Sequence, residues 1–211
     1  MGYMKEIHGD IVENTFKETS SEGSAIKIDV IVTQCNLFGL YGGDLWKHIE
    51  YKWPFIRGDI FRAYEEYVKR FNLKSWDRIP PGQMLPISLE NLGFDENDNV
   101  IYGRKLCCLF TPLLITQDNY KGWEDALALL KVYANRILEK DKTIGFPVMI
   151  GCGQNGGNWP FIRKSIYDFS RSVKNPVYMV NHIDSITTHL LNRPANLQEV
   201  TRASDVILQR S

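Results

Sequence analysis

Four short apolar runs, none of them alternating with polar residues, constrain this chain more than any other feature. They are Val30-Ile31-Val32, Leu106-Cys107-Cys108-Leu109-Phe110, Ile144-Gly145-Phe146-Pro147-Val148 and Val177-Tyr178-Met179-Val180. A strand with one wet face alternates, whereas a strand that is apolar on both sides has to be covered on both, as in a mostly parallel sheet between helices. The stretches between the runs carry the helical period that supplies those covers. Ile60, Tyr64, Tyr67, Val68 and Phe71 fall on one stripe, Trp123, Leu127, Leu130, Ala134 and Ile137 on a second, and Ile162, Ile166 and Phe169 on a third. Gly58-Asp59 is read as the opening of the first helix. Asn158 before Trp159-Pro160 is read as the cap of the last, because a side-chain oxygen and an early proline suit the exposed N–H groups of a first turn. Strands alternating with helices predict an α/β domain. Residues 95–99 read as the turn of a hairpin between 84–89 and 100–110, and 19–24 as a polar surface loop. No repeat or long linker divides the 211 residues, and with 44% hydrophobic residues a single domain with a proper core is expected.

Lys plus Arg and Asp plus Glu both total 25. With no net charge, no overall field draws the chain to nucleic acid or to an anionic membrane, so no direct nucleic-acid binding is expected. Any anionic ligand has to be held by local geometry. Met1-Gly2-Tyr3-Met4-Lys5 begins no apolar leader, and no stretch approaches the roughly 20 apolar residues of a membrane helix. A cytoplasmic protein with no membrane partner is expected. Cys35, Cys107, Cys108 and Cys152 form no CxxC pair and sit among apolar or glycine neighbours, which points to reduced thiols rather than a metal site or a disulfide framework. No histidine is placed by sequence to activate Cys35 or Cys152 as a nucleophile. His48, His182 and His189 read as surface residues, and His8 as lining a pocket or lying on a strand surface.

Two glycine-rich stretches each follow a buried strand and lead into a helix. The first is Thr33-Gln34-Cys35-Asn36-Leu37-Phe38-Gly39-Leu40-Tyr41-Gly42-Gly43-Asp44, before a short helical segment from Leu45 to Ile49. The second is Ile150-Gly151-Cys152-Gly153-Gln154-Asn155-Gly156-Gly157-Asn158. Glycine admits positive φ and puts no Cβ in the way of a ligand, so successive N–H groups converge on an anion beside the positive end of a helix dipole. Two such turns at one sheet edge suit a pair of linked phosphates; the alternative is that they are tight turns and nothing more. The second also fits Gly151-x-Gly153-x-x-Gly156, a dinucleotide fingerprint, although Val180 is followed by Asn181 where an acidic residue is expected.

Taken together, Gly9-Asp10-Ile11, Asp29-Val30-Ile31-Val32-Thr33-Gln34-Cys35-Asn36 with Gly39 and Gly42-Gly43, Gly82-Gln83-Met84-Leu85-Pro86, and Phe146-Pro147 through Gly156-Gly157-Asn158-Trp159 resemble the macrodomain family. The likeness is greatest to its small phosphatase-like and deacylase-like members. The resemblance implies a three-layer α/β/α domain with a mixed, mostly parallel sheet over 1–211, residues 184–211 being a C-terminal extension. It implies ADP-ribose or a derivative as ligand, an ADP-ribosylated macromolecule as a further partner, and no cofactor or metal. By the same resemblance Asp10 would meet the adenine amine and Ile11 offer a backbone contact. Asn36 would hydrogen-bond the distal ribose, Gly42 and Gly43 would let the backbone approach that ribose and phosphate, and Gly151, Cys152, Gly153, Gln154, Asn155 and Gly156 would cradle the diphosphate, with Gln34, Gly39 and Ile150 as further ligand contacts. Tyr178 and Asn181, after the last strand, would lie near adenine, with Tyr178 equally readable as core.

Departures from the family pattern bear on catalysis. Thr33 stands where related sequences often carry histidine, and Asn158, or in another branch Asn155, stands where they commonly carry an acid. An amide cannot act as a general base. Asp44 and Asn36 are therefore the catalytic candidates, one orienting a water and the other the ribose, with a helix cap as the other reading of Asp44. Three functions follow: hydrolysis at the distal ribose of an ADP-ribose derivative (removal of a 1″-phosphate or de-ADP-ribosylation), binding or sequestration without turnover, and an NAD-dependent oxidoreductase.

Overall fold

The computed structural model describes residues 4–20, 23–36, 44–70, 72, 80–89, 91–94, 100–111, 120–152 and 156–182. In chain order these form β1 (Met4–Asp10), β2 (Thr15–Phe16), β3 (Val30–Asn36), α1 (Asp44–Lys52), α2 (Ile56–Arg70), β4 (Gln83–Ser88), β5 (Asn91–Phe94), β6 (Val100–Tyr102), β7 (Lys105–Thr111), α3 (Lys121–Arg136), β8 (Ile144–Pro147), α4 (Trp159–Ser172) and β9 (Val177–His182). Seven strands make one sheet in the order β2-β1-β9-β8-β3-β7-β4, and β5 pairs with β6 in a separate ribbon. From β1 to β7 all neighbours are parallel, while β2 and β4 close the two edges antiparallel.

The four apolar runs lie in the central strands, and their alternate residues feed two separate cores. Val30, Val32, Cys107, Leu109, Ile144, Phe146, Val177 and Met179 pack with α3 and α4. Ile31, Cys35, Leu106, Cys108, Phe110 and Val180 pack on the other face with Trp46, Ile49, Ile56 and Ile60 of α1 and α2. The result is a mixed sheet between two helical layers, as the family resemblance implied. Trp123 is fully buried and its Nε1 donates to Ser165 Oγ at 2.7 Å, joining α3 to α4. The three cysteines in the strands are buried free thiols.

Three details differ from the sequence reading. The second helix begins at Ile56, two residues before Gly58, because the chain turns at Trp53-Pro54 and the Ile56 N–H already bonds the Trp53 carbonyl at 3.0 Å. Ile137 leaves its stripe and is 70% exposed, because α3 ends at Arg136 and Ile137 is the cap. The hairpin pairing of β4 with β7 runs from Gln83↔Phe110 to Ser88↔Lys105, but the strand expected over 100–110 is broken at Gly103-Arg104, and β6 pairs with β5 instead. Residues 95–99 lie outside the described residues.

Arg104 causes that break. Its side chain is turned inward and is only 4% exposed. Nη1 and Nη2 donate to the carbonyls of Val12 and Ile11 at 2.7 and 2.6 Å, and Nε to that of Ile28 at 2.9 Å, with Trp53 beneath the guanidinium. The turn after β1 is thereby laid across the α1/α2 face of the sheet. Gly145 makes room for it, since a Cβ there would meet Ile28 Cγ2 at 2.7 Å and Ile11 Cδ1 at 3.1 Å.

Replacing Arg104 by Met removes all three donors and leaves buried carbonyls without them. A loss of about 3–5 kcal/mol is expected in urea unfolding, and Arg104→Lys should recover little of it, because one ammonium cannot reach three separate carbonyls in a fixed fork. Gly145→Val overfills the same place and is expected to cost about 1–3 kcal/mol in that assay.

Candidate functional site

The five parallel strands end together at one edge of the sheet, at Asp10, His182, Pro147, Asn36 and Thr111. Ligands of open α/β sheets bind outside this carboxyl edge, where neighbouring strands depart in opposite directions. That place is between β8 and β3. Their ladder holds only Val30↔Ile144 and Ile31↔Gly145, whereas β3 stays with β7 as far as Asn36↔Thr111 and β8 with β9 as far as Pro147↔Val180. The sheet forks there, and each arm of the fork runs into one of the two glycine turns.

The turn after β8 is tightly folded. Ile150 N–H bonds the Pro147 carbonyl and Cys152 N–H the Met149 carbonyl, with Met149 at φ 63° and Gly151 at φ 74°. The Gly157 N–H then returns to the Gly151 carbonyl at 3.0 Å, closing the loop on itself. A Cβ on Gly157 would lie 2.6 Å from that carbonyl oxygen and 2.6 Å from Ile162 Cδ1, so only glycine fits. Gly156 has φ 64° and open space around it. Ile150 is buried in the core beside α4, and Cys152 is half-buried with its Sγ toward the Ile150 carbonyl. Gly153, Gln154 and Asn155 lie outside the described residues.

The loop delivers the chain to the N-terminus of α4, and Asn158 caps it as the sequence suggested. Its Oδ1 accepts from Phe161 N–H at 3.4 Å, with Pro160 in the first turn. Tyr120 Oη accepts from the Asn158 N–H at 2.8 Å while the Tyr120 ring lies against Phe161. Burial pushes the Cys152 thiol upward. Burial, together with Cys108, pushes the Cys35 thiol well up. Neither sulfur is held as the thiolate that a nucleophile needs.

On the other arm, Asn36 ends β3 opposite Thr111 and Asp44 begins α1. Gln34 is half-buried, and its Nε2 donates to Thr111 Oγ1 at 2.5 Å, which ties the ends of β3 and β7 together. Gly39, Gly42 and Gly43 lie outside the described residues.

Asp10 ends β1 and is 5% exposed. Its Oδ1 accepts from Val12 N–H at 2.8 Å and Glu13 N–H at 2.9 Å, and its Oδ2 lies 3.5 Å from His48 Nδ1. Gly9 lets β2 come alongside, since a Cβ there would meet the Thr15 carbonyl oxygen at 2.1 Å. Ile11 is wholly buried under the sheet. Two corrections fall here. Tyr178 does not follow the last strand: it is the second residue of β9, paired with Lys5 and Gly145, and packs against the α1/α2 core, while exposed Asn181 stands nearer the edge beside His8. His48 is not a surface residue but is 2% exposed, because the period of α1 puts it on the stripe of Leu45, Ile49 and Lys52 that faces the Asp10 turn. That stripe was the signal that could have found it. Arg104, which holds the same turn from its carbonyl side, carries no comparable signal. His8 lies on the strand surface with Nδ1 2.9 Å from Glu18 Oε1.

No group of three or more potential metal ligands occurs among the described residues, and no helix among them is long and apolar enough to cross a membrane.

No protein-family model and no curated protein sequence matches the chain. Solved structures do. The macrodomain of Mycobacterium tuberculosis DarG superposes with a TM-score of 0.55 at 13% identity, covering 87% of this chain and all of that one. The Oceanobacillus iheyensis macrodomain, solved with MES bound, gives 0.53 at 18% identity over 95% of this chain and 93% of that one. Thermosipho africanus DarTG, solved in complex with ADP-ribose, gives 0.54 at 15% identity over 75% of this chain and 40% of the larger one. With the strand order, the two helical layers and the forked carboxyl edge, these likenesses show that the chain has the macrodomain fold.

Proposed function

We propose that the chain binds ADP-ribose or a closely related derivative across the carboxyl edge of its sheet and hydrolyses it at the distal ribose. One observation carries the reading: both glycine turns leave the two arms of one fork, on a fold of which a solved neighbour holds ADP-ribose. A dianion can then be gripped without any net positive charge on the chain, by backbone N–H groups and the start of α4. In this reading Asp10 and the Ile11 backbone meet adenine. The loop from Ile150 to Gly156 holds the diphosphate, and Gln34, Asn36 and the turn of Gly39, Gly42 and Gly43 receive the distal ribose. Asn181 rims the adenine end.

Turnover in this scheme rests on Asp44, which starts α1 directly after Gly42-Gly43 and would aim a water at the anomeric carbon or at a terminal phosphate, while Asn36 fixes the ribose hydroxyls. The same chemistry extends to an ADP-ribosylated macromolecule attached at that ribose. One observation favours the second reading, a binding module without turnover. Asn158, an amide where relatives carry an acid, is engaged as a helix cap. The oxidoreductase reading is weaker: β8, α4 and β9 do form a parallel βαβ unit around the fingerprint, but β9 ends in Asn181-His182 rather than an acid for the adenosine ribose hydroxyls.

Calorimetric titration with ADP-ribose and, alongside it, NAD separates these. Saturable binding of ADP-ribose with much weaker binding of NAD is the expected outcome; equal binding of both, with hydride transfer, would restore the oxidoreductase. Asp44→Ala is expected to lower the hydrolysis rate about 10²-fold or more while leaving ADP-ribose affinity nearly unchanged. Equal measurable rates in the two proteins would remove Asp44 from the mechanism, and binding without hydrolysis by the unsubstituted protein would leave the binding module. Gly157→Ala is expected to destabilise the fold by about 1–3 kcal/mol and, in protein still folded, to weaken ADP-ribose binding by opening the closed loop.

A further inference from the structure

We propose that the groove between α4 and the open face of β1 is the seat of the chain's own residues 183–192, which run back from the end of β9 as a short helix with their apolar stripe against Tyr167 and Met4. This docking does not depend on the ligand reading. It supplies the helical cover that one end of the α3/α4 face lacks among the described residues.

The groove measures about 680 Å³ and is lined by Met4 and Glu6 of β1 and by Trp159, Pro160, Arg163 and Tyr167 of α4. Strand register creates it. Met4 and Glu6 pair with Val177 and Met179 of β9, and paired neighbours share a face, so Met4, Glu6 and His8 lie on the α3/α4 side. There α3 packs on β7 and β4, while Ile162, Ile166 and Phe169 of α4 join Val177 and Met179 in the core. Beyond β9 the cover stops: Glu6 and His8 are exposed, Met4 is half-buried and Tyr167 is 45% exposed. On the opposite face the same strand is sealed, with Ile7 fully buried in one cluster with Ile11 and Val12.

Charge, connection and length choose the occupant. Arg163 lies 3.7 Å from Glu6, and Lys164, also on the wall of the groove, lies 2.7 Å from Asp168. With these charges already matched, what the groove offers is apolar surface, which suits a nucleic acid or an acidic peptide poorly. β9 ends at His182, paired with Gly9 at the carboxyl edge, and α4 starts from that same edge at Trp159. Residue 183 therefore leaves the sheet at one mouth of the groove. Ile183, Ile186 and Leu190 recur at helical spacing, Asp184 suits a cap, and Pro194 ends the run. A helix over 184–192 rises about 13 Å, against about 12 Å from Trp159 to Tyr167 along α4. A segment tethered so close to its seat is held there at millimolar effective concentration, which a second copy or a separate apolar partner has to overcome.

Amide hydrogen exchange of the whole chain, followed by NMR at a low and a high protein concentration, tests the docking. The amides of residues 186–191 are expected to be protected equally at both concentrations. Tyr167→Glu is expected to speed their exchange about tenfold or more while leaving the amides of β8 and α3 unchanged. Exchange at the free-chain rate in the wild type overturns the proposal, as does protection that Tyr167→Glu leaves untouched. Protection that grows with concentration assigns the groove to a second copy and overturns it as well. Should Tyr167→Glu not fold, through-space NMR contacts in the unsubstituted chain decide. Contacts from the Met4 methyl and the Tyr167 ring to the Ile186 and Leu190 methyls are expected; their absence, or their appearance only between differently labelled copies, contradicts the docking.

Discussion

The site depends on one turn whose backbone is held from both sides. After β1 the chain has to leave the sheet edge and cross the α1/α2 face, which buries main-chain groups away from any strand partner. Asp10 takes two of the turn's N–H groups and Arg104 takes two of its carbonyls, so that a buried anion and a buried cation satisfy one short segment of peptide between them. Neither charge would be tolerable alone in so dry a place. Because Arg104 also holds the Ile28 carbonyl, the same guanidinium fixes the approach to β3, and its position just before Lys105 fixes the start of β7. The edge from which the proposed ligand is gripped is thus assembled from residues far apart in sequence.

The fork between β8 and β3 answers the question raised by the charge balance. A chain with 25 cationic and 25 anionic side chains offers no general attraction to a diphosphate. What it offers instead is backbone: a loop closed by Gly157 on Gly151, a capped helix start at Asn158, and two strands that separate just where that loop begins. In the proposed reading, the Gly157–Gly151 closure and the capped helix start are in place before the ligand arrives, which leaves less ordering for binding to accomplish. The buried Cys35 thiol and the half-buried Cys152 thiol are both pushed upward by burial, so neither is held as a thiolate.

Much of the framework was legible in the sequence because it is written in local patterns. Runs without alternation marked the central strands, the 3.6-residue stripe of Trp123, Leu127, Leu130 and Ala134 marked α3, and Asn158 with Pro160 marked the start of α4. What the sequence did not reveal depends on contacts between distant segments. β1 is half polar, because its first residues lie near the edge of the sheet, and it gave no apolar run. Arg104 fell inside the strand expected over 100–110 and His48 read as a surface histidine, since their partners Ile11, Val12 and Asp10 lie more than thirty residues upstream. Tyr178 was placed at the edge by resemblance, whereas the register of β9 against β1 and β8 sets it well back from it.

The central claim is that a single ligand spans the carboxyl edge from the Asp10 turn to the loop closed by Gly157. Amide NMR of the isotope-labelled chain titrated with ADP-ribose tests it most directly. The expected result is a set of saturable shifts shared by Asp10 to Glu13, Ile150 to Cys152, Gly156, Gly157 and the first turns of α1 and α4, all following one binding curve. Shifts confined to the outer surfaces of α2 and α3, or none at saturating ligand, would contradict it.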